Sequence, residues 1–468
     1  MRPPIAPIGL DYVAGGLRER GIFVELLDLG LADDPAAETA RYFAHRQPEL
    51  VGLSFRNVDD CFWPSAQSFL PVLEQDVARL RQLTAAPLVL GGVGYSICAA
   101  EILARCGADF GIWGDGEEAL VALVRELRGA RNWDHVPGLV RTEASQVRTN
   151  PPAWPMQLTI PPQRDTVDNR AYFRRGGQIG VETKRGCGQP CIYCVDALAK
   201  GRTHRLRDPS HVADEVQSLL SQGVDVLHFC DAEFNLPPRH ALDVCEALIR
   251  RGLGDRVRWY AYLSVLPFSD ELARCMRRAG CAGINFTSDS SHPKMLATYR
   301  QPHNKEDLAR VVRTCWEHGI RVMLDLLLGG PGETPETVAE TIADVKRIAP
   351  DCAGAALGLR LYPHTPLAEM VCAEGPLELN PSLRRRYCGA VDLVQPTFYL
   401  AATLGPHPAT LVRELIAGDE RFFPPEEDAV PTGAAAADHN YNDNRQLVDA
   451  IAAGARGAYW DILSQLRQ

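Results

Sequence analysis

Two series of alternating strand-like and helix-like segments run along the chain. The first begins with an amphipathic stretch at Gly9, and each later apolar run in it is followed by a glycine or polar turn and a helical pattern. The strands predicted in this series are residues 22–28, 50–55, 87–90 and 109–112. Strands that alternate with helices in this way are typical of a doubly wound parallel sheet. We therefore expect an α/β, Rossmann-like domain over residues 1–140.

The second series begins at Gln178 and again alternates strands with helices. Its predicted strands are residues 179–184, 226–230, 258–264, 283–288, 321–328 and 356–362. Six such units predict a partial (β/α)6 barrel of the TIM type over residues 177–375, with its chemistry at the C-terminal ends of the strands. Residues 141–176, rich in Pro, Asn and Thr, predict a linker. Residues 376–468 predict a mainly helical segment, in which Tyr441 and Asn442 could close the barrel over a substrate.

Composition narrows the classes of function. The 468 residues are 46% hydrophobic and 23% charged, as in ordinary globular proteins, and the formal net charge is −10. This charge disfavours nucleic acid as a partner, because phosphate binding needs a concentrated basic surface. No apolar run approaches the length of a membrane span and the start is not a signal peptide, so we expect a cytoplasmic protein. In that compartment the 14 cysteines predict ligands and free thiols more than disulfides.

Three cysteines form the most specific motif. Cys187, Cys191 and Cys194 follow a predicted strand at C-x3-C-x2-C spacing. Three thiolates can hold a [4Fe–4S] cluster and leave one iron open for a ligand. The other interpretations are a zinc site or three incidental core cysteines. Zinc would need a fourth ligand at matching spacing, and His204 and His211 do not form a recognisable pair.

Several predicted barrel strands carry polar side chains on the face that should point inward. Tyr260, Tyr262 and Ser264 share one face of the third strand, and Asp325 and Arg360 lie on the fifth and sixth strands. A barrel interior without function would be filled by Val, Ile and Leu. We therefore predict a ligand cavity in which Tyr260, Tyr262 and Arg360 are catalytic and Ser264 and Asp325 bind a cofactor. Either tyrosine could instead cap a helix or bond to a backbone carbonyl.

The cysteine motif, with Tyr193 before its last cysteine, resembles that of the radical S-adenosylmethionine (SAM) enzymes, in the class with an N-terminal cobalamin-binding domain. The resemblance implies that the cysteines hold a [4Fe–4S] cluster and that Tyr193 lies near the adenine of SAM. It also implies that Glu233 holds the SAM amino group. Gly329 and Gly330 match a glycine motif that approaches the adenosine in this family.

The N-terminal domain resembles the cobalamin domain of the same class. It lacks the Asp-x-His-x-x-Gly string that supplies a histidine to cobalt, and carries Ser54, Arg56 and Asn57 in a segment similar to the Ser-x-Arg-Asn-x-Asp of some methylases. The resemblance implies that Arg56 lies under the lower face of the corrin. The alternative is that Arg56 pairs with Asp59 or Asp60 in an ordinary surface ion pair.

Glycines after the later strands of this domain are further cobalamin candidates. The positions assigned to cofactor binding here are Gly91, Gly92, Gly94, Tyr95 and Gly114. Such glycines could let the nucleotide tail of the corrin approach the backbone, or could only form tight turns. The class has a strand before the segment that begins at Pro7, and only six residues precede it. We therefore expect that the sheet lacks this strand or that the start is assigned late.

The resemblance is greatest to the tryptophan 2-C-methyltransferase type. It implies transfer of a methyl group from SAM by way of methylcobalamin to an unreactive carbon of a small molecule, with carbon 2 of tryptophan as the candidate. An external electron donor is the expected partner. The alternatives are a rearrangement, ring contraction or cyclisation by a 5′-deoxyadenosyl radical, and a non-catalytic cobalamin sensor. The inward polar residues disfavour the sensor, because sensing needs no second polar cavity.

Overall fold

The structure is a computed structural model that describes residues 3–161, 164–426 and 444–467. Within these ranges no helix has both the length and the apolar character needed to cross a membrane. The two lid candidates, Tyr441 and Asn442, lie outside the described residues.

The N-terminal domain is a sheet with helices on both faces. Its strands are β1 (Val51–Ser54), β2 (Leu88–Gly91), β3 (Phe110–Ile112), β4 (Leu139–Glu143) and β5 (Gln146–Thr149). Its helices are α1 (Ile8–Glu19), α2 (Pro35–Phe43), α3 (Leu70–Leu83), α4 (Val93–Ile97), α5 (Ala99–Cys106) and α6 (Gly116–Arg128). Leu88 and Leu90 pack with α3 and α5, whereas Val89, between them, packs with α6. This alternation buries both faces of the sheet and confirms the doubly wound, Rossmann-like prediction.

Two segments of this domain differ from the prediction. Residues 22–28 form no strand, because Phe23 is 84% exposed and none of the seven residues is fully buried against a sheet face. Only β1, β2 and β3 pair in parallel, in that order. The antiparallel hairpin β4–β5 then extends the sheet to Thr149, so the first part of the predicted linker belongs to this sheet.

The barrel region follows a short helix, α7 (Asn169–Gly176). Its strands are β6 (Ile179–Val181), β7 (Lys184–Arg185), β8 (Arg205–Leu206), β9 (Val226–Phe229), β10 (Arg258–Leu263), β11 (Cys281–Asp289), β12 (Arg321–Leu328) and β13 (Cys352–Leu357). Its helices are α8 (Asp196–Lys200), α9 (Pro209–Ser221), α10 (Pro238–Arg250), α11 (Asp270–Arg278), α12 (Pro293–Tyr299), α13 (Lys305–Glu317), α14 (Pro335–Ile348) and α15 (Pro366–Ala373). Strands β6, β9, β10, β11, β12 and β13 pair in parallel in chain order. This arrangement confirms the partial barrel.

The sixth barrel strand lies four residues earlier than predicted. Strand β13 ends at Leu357, and Gly358, with a φ of +88°, turns the chain out of the barrel. The residues beyond it form a separate strand, β14 (Leu359–Arg360), in a small antiparallel sheet. The small residues of β13 carry a weak strand signal, because Ala and Gly are depleted in strands.

The described part of the C-terminal segment, residues 376–426 and 444–467, is less helical than predicted. Its helices are α16 (Pro408–Ile416), α17 (Arg445–Ala452) and α18 (Tyr459–Leu466). Its strands are β15 (Leu383–Arg385), β16 (Thr397–Tyr399) and β17 (Phe422–Phe423). Strand β16 pairs with both β14 and β15, and β17 adds a seventh strand to the barrel sheet beside β13.

A buried charge cluster fixes the N-terminal helix α1 to the barrel. Arg164 is fully buried, and it donates to Asp11 Oδ2 and to Glu215 Oε1 of α9, each at 2.6 Å. The hydroxyl of Tyr12 donates to the same Glu215 oxygen at 2.9 Å. Each of these buried charges has an opposite partner, which offsets the cost of removing it from water.

Candidate active site

The three candidate cluster ligands lie on one loop beyond β6 and β7. The loop starts at Gly186, where φ is +86° and an added Cβ would stand 2.1 Å from the carbonyl oxygen of Thr203. Only glycine fits this turn without displacing the backbone. Cys187, Cys191 and Cys194 then line a cavity of about 390 Å³ at the C-terminal end of the barrel strands.

The thiols are largely removed from solvent. Burial raises the pKa of all three, to about 12 for Cys191, where the carboxylate of Asp289 adds to the effect. Among the residues that the structure describes, no three metal-ligating side chains already stand together as a preformed site. Three desolvated thiols on one loop are nevertheless the donor set of a [4Fe–4S] cluster with one open iron, and bound iron would stabilise their thiolates.

Glu233 reaches the same cavity with an unsatisfied carboxylate oxygen. The hydroxyl of Thr287 donates to its Oε1 at 2.9 Å, while its Oε2 is buried and has no hydrogen-bond partner in the described structure. Burial raises the pKa of Glu233 to about 7. Its backbone φ of +61° is strained for a residue other than glycine. A buried oxygen without a donor fits the amino group that the sequence prediction assigned to this residue.

Two residues that the sequence analysis missed organise the wall of the cavity. Asp289, at the end of β11, accepts from the Tyr193 hydroxyl at 2.5 Å and from Gln301 Nε2 at 2.6 Å. Gln301 also lies 3.4 Å from the sulfur of Cys191. Asp289 has a φ of +54°, and burial raises its pKa to about 7. The sequence did contain a signal for Asp289, because it is a polar residue at the C-terminal end of a barrel strand.

Of the two candidate tyrosines, only Tyr262 lies at the cavity. Its side chain is 39% exposed and lines the cavity wall, and its ring contacts His228 edge-on with 5.3 Å between the ring centres. Burial of the phenol oxygen raises its pKa, and the charge of Asp325 adds to this. The hydroxyl is therefore neutral at physiological pH.

Tyr260 does not have the predicted catalytic position. It is 1% exposed near the start of β10, where its hydroxyl donates to Asp461 of α18 at 2.6 Å and its ring contacts Trp460. The prediction was wrong because side-chain alternation gives the inward face of a strand but not the depth within the barrel. Ser264 also lies outside the cavity wall, and its backbone bonds to the side-chain amide of Asn235.

Arg360 is a structural residue, contrary to the catalytic prediction. Its side chain is 2% exposed and donates to Asp59 Oδ2 of the N-terminal domain at 2.8 Å. Its other donors bond to backbone carbonyls of Leu361, Leu393 and Val394. Its strand leaves the barrel after Gly358, so the guanidinium meets the N-terminal domain instead of the cavity.

The remaining barrel candidates lie away from the cysteines. Asp325 is on the inward face of β12 and accepts from Asn285 Nδ2 at 3.1 Å, but it does not line the cavity. An added Cβ at Gly329 would stand 2.4 Å from Leu400, and one at Gly330 would stand 2.3 Å from the Tyr299 hydroxyl. Gly329 also has a φ of +91°, so backbone conformation and close packing favour glycine at these positions, and their predicted approach to adenosine stays a prediction.

The cobalamin candidates Ser54, Arg56 and Asn57 lie where β1 ends. Ser54 and Arg56 are exposed and Asn57 is half-buried. The described contacts include no ion pair of Arg56 with Asp59 or Asp60, and these two carboxylates bond to other groups. Burial, with the nearby charge of Arg56, lowers the pKa of His228 to about 4, so this arginine faces the barrel. Exposed polar groups at the carboxyl edge of an α/β sheet fit a bound ligand.

The glycine candidates separate into two groups. An added Cβ at Gly91 would meet only the carbonyl oxygen of Ile112 at 4.0 Å, so that backbone is open to a ligand. A Cβ added at Gly92 or Gly94 would stand 2.7 Å from the backbone of the loop after β1. A Cβ added at Gly114 would stand 2.8 Å from Trp154. Close packing of the loops explains why glycine stands at these three positions. Their predicted role in binding the corrin is not needed to explain it. Tyr95 is completely buried, which places it behind the loop and not at its surface.

The chain matches known proteins along its whole length. Residues 2–124 match the B12 binding domain and residues 181–345 the radical SAM superfamily. It is 28% identical to the tryptophan 2-C-methyltransferase of Streptomyces laurentii, an alignment that covers 98% of this chain and 94% of the relative. It is 30% identical to the radical SAM methyltransferase TsrM of Kitasatospora setae, solved with tryptophan and a SAM analogue, with a TM-score of 0.91 over 99% of this chain and 96% of that one. An uncharacterised methyltransferase of Pyrococcus horikoshii is 27% identical over 79% of each chain.

The chain belongs to the cobalamin-dependent radical SAM enzymes.

As a cobalamin-dependent radical SAM enzyme, the chain is a SAM-dependent methyltransferase whose cofactors are a [4Fe–4S] cluster, SAM and cobalamin. The predictions of family, enzyme class, cofactors and fold are confirmed. The positions of Glu233 and the three cysteines in one cavity fit this cofactor set, while the individual residue roles remain proposals.

Proposed function

We propose that this enzyme methylates carbon 2 of the indole ring of tryptophan, with SAM as the methyl donor. The observation that carries the proposal is the similarity over the full length to TsrM, at a TM-score of 0.91, since that structure holds tryptophan and a SAM analogue. In the net reaction the methyl group leaves the sulfur of SAM, which becomes S-adenosylhomocysteine. It replaces the hydrogen on carbon 2, which leaves as a proton.

The cavity residues divide the binding of SAM and the cluster between them. Cys187, Cys191 and Cys194 hold the cluster through their thiolates. Glu233 accepts the SAM ammonium through Oε2, the oxygen that is buried without a partner. Tyr193 is held in place by its bond to Asp289 and presents its backbone to the adenine. Together these contacts place SAM at the C-terminal end of the barrel.

The loop after β1 faces the barrel and is assigned to cobalamin. Arg56 presents a cation and no ligating atom, with Ser54, Asn57 and the open backbone of Gly91 beside it. Cobalamin held by these residues would supply the methyl carrier between SAM and the substrate carbon. An external electron donor restores the reduced cofactor after adventitious oxidation.

Tyr262 serves the substrate as a neutral hydrogen-bonding group. Its raised pKa disfavours a phenolate base, and Arg360 is held by Asp59 and so does not stabilise a phenolate at Tyr262. The side chain lies on the cavity wall, where its hydroxyl can bond to a ring substituent of the substrate. Its contact with His228 fixes the orientation of the phenol ring.

The test is turnover by the reconstituted enzyme with tryptophan and SAM, followed by mass spectrometry of the products. The expected products are 2-methyltryptophan and S-adenosylhomocysteine in equal amounts, without 5′-deoxyadenosine. The matched control replaces Cys187, Cys191 and Cys194 together by Ala, which should abolish iron binding and turnover while cobalamin stays bound. Absence of a methylated tryptophan would show that tryptophan is not the substrate. Formation of 5′-deoxyadenosine in proportion to product would show a radical transfer instead of a polar one.

A further inference from the structure

A row of polar side chains crosses the barrel interior next to the cysteine cavity. The polar row consists of His228, Tyr262, Asn285 and Asp325, one on each of the neighbouring strands β9, β10, β11 and β12. Tyr262 and Asn285 are partners in register, and Asn285 donates to Asp325. A row of four polar residues in place of Val, Ile and Leu is unexpected in a barrel that only needs to be filled.

The acceptors at one end of the polar row lack a donor. Asn285 is 2% exposed, and its Oδ1 is buried with no hydrogen-bond partner in the described structure. The carboxylate of Asp325 has one described bond, to Asn285, and no described Lys or Arg pairs with it. Burial consequently raises the pKa of Asp325 to about 7. A carboxylate and an amide oxygen left without a cation form an incomplete site.

Asn285 and Asp325 lie outside the lining of the cavity that contains the SAM contacts. Thr287, which bonds to Glu233, lines the cavity, and Asn285 lies two residues earlier on the same face of β11. Two residues of a strand span about 7 Å, so Asn285 is one layer further from the cysteines, while Asp325 lies two residues beyond Met323, the register partner of Asn285. Below this pair the barrel is closed, because Arg321 at the start of β12 forms an ion pair with Asp461 of α18. The pair therefore lies beside the cofactor cavity and above the floor of the barrel.

We propose that Asp325 and Asn285 bind the α-ammonium group of the amino-acid substrate. The inference rests on the proposed methylation of tryptophan. The reaction brings two ammonium groups into the barrel, one on SAM and one on the amino acid. Among the described buried carboxylates that have no Lys or Arg partner, Asp231, Asp289 and Glu333 each already accept at least two hydrogen bonds, whereas Glu233 and Asp325 each accept one. Glu233 is beside the cysteines and takes SAM, so Asp325 is left for the substrate. This reassigns Asp325 from the cofactor, where the sequence analysis had placed it.

The test compares substrates with and without the ammonium group in the reconstituted holoenzyme. L-Tryptophan carries the group and indole-3-propionate lacks it, while tryptamine keeps it and lacks the carboxylate. Asp325→Asn preserves shape and removes the charge, and Asn285→Ser is a second variant that removes the amide oxygen. Asp270→Asn, at an exposed position, is the matched control. Dissociation constants come from calorimetry and KM from turnover, with iron, cobalamin and circular dichroism checked for each variant.

The expected result is a loss of affinity for tryptophan and tryptamine of about tenfold to hundredfold in Asp325→Asn, the range for one charge-assisted hydrogen bond. Binding of indole-3-propionate should be unchanged in both variants. If both variants keep their cofactors and bind tryptophan as tightly as the parent, the ammonium site is wrong although tryptophan remains the substrate. If the parent neither binds nor methylates tryptophan, the proposed function fails and this inference fails with it.

Discussion

The buried ion pair between Asp59 and Arg360 connects the loop after β1 to the barrel. The side chain of Asp59 is completely buried, and that of Arg360 is 2% exposed. Asp59 also accepts from the Tyr362 hydroxyl at 3.2 Å and from the backbone N–H of Cys61 at 2.9 Å. Replacing Asp59 by Ala would leave a buried guanidinium without its counter-charge.

The expected loss of stability is large. Removing one partner of a buried ion pair costs about 3–5 kcal/mol, because the remaining charge stays out of water. The carbonyl oxygens that also accept from Arg360 reduce this loss of stability, but they supply no full negative charge. Replacing both partners by apolar residues, in Asp59→Leu with Arg360→Met, should recover at least about 2 kcal/mol of the loss.

Urea unfolding followed by circular dichroism measures these values. Asp33→Ala, at an exposed position, is the control and should change the free energy of unfolding by no more than about 0.5 kcal/mol. If Asp59→Ala behaves like Asp33→Ala, the pair does not hold the domains together. If the double variant is as unstable as the sum of the single variants, the two side chains do not act as a pair.

Three further predictions concern the cavity and the barrel floor. Because burial raises the pKa of Glu233 to about 7, its carboxylate is protonated below that pH, so equilibrium dialysis should show SAM binding that weakens as the pH falls from about 8 to about 6. Glu233→Gln should bind SAM weakly at every pH, and parental affinity in this variant would contradict the assignment. Tyr260→Phe removes the bond to Asp461 and should lower the free energy of unfolding by about 1–3 kcal/mol while kcat stays parental. Tyr262→Phe should instead lower kcat/KM at least about tenfold without loss of stability. If the two variants have equal effects, the assignment of a structural role to Tyr260 and a substrate role to Tyr262 is wrong.

The sequence was sufficient to predict the fold class and the cysteine motif, because both depend on local periodicity and spacing. It was not sufficient for the depth of a side chain in the barrel. Tyr260 and Tyr262 share one face of β10, but only the structure shows that α18 occupies the lower level, where it meets Tyr260. Arg360 was misassigned for a related reason, since the turn at Gly358 ends the barrel strand before it.

Glycines and polar strand ends gave the most ambiguous signals. A glycine can be required by a ligand or by a neighbouring backbone, and local sequence does not distinguish the two. Gly92 and Gly94 contact the loop after β1, whereas Gly91 is open. Asp289 and Gln301 meet only when the loop after α12 folds over the end of β11, so their bond could not be read from spacing alone.

The most direct test of the account follows both the methyl group and the hydrogen that it replaces. The reconstituted enzyme is supplied with SAM labelled with carbon-13 in its methyl group and with tryptophan deuterated at carbon 2, and the product is examined by nuclear magnetic resonance and mass spectrometry. The account predicts a labelled methyl group bonded to carbon 2 of the indole and complete loss of the deuterium from the product. A labelled methyl group at another position, or deuterium retained in a methylated product, would contradict it.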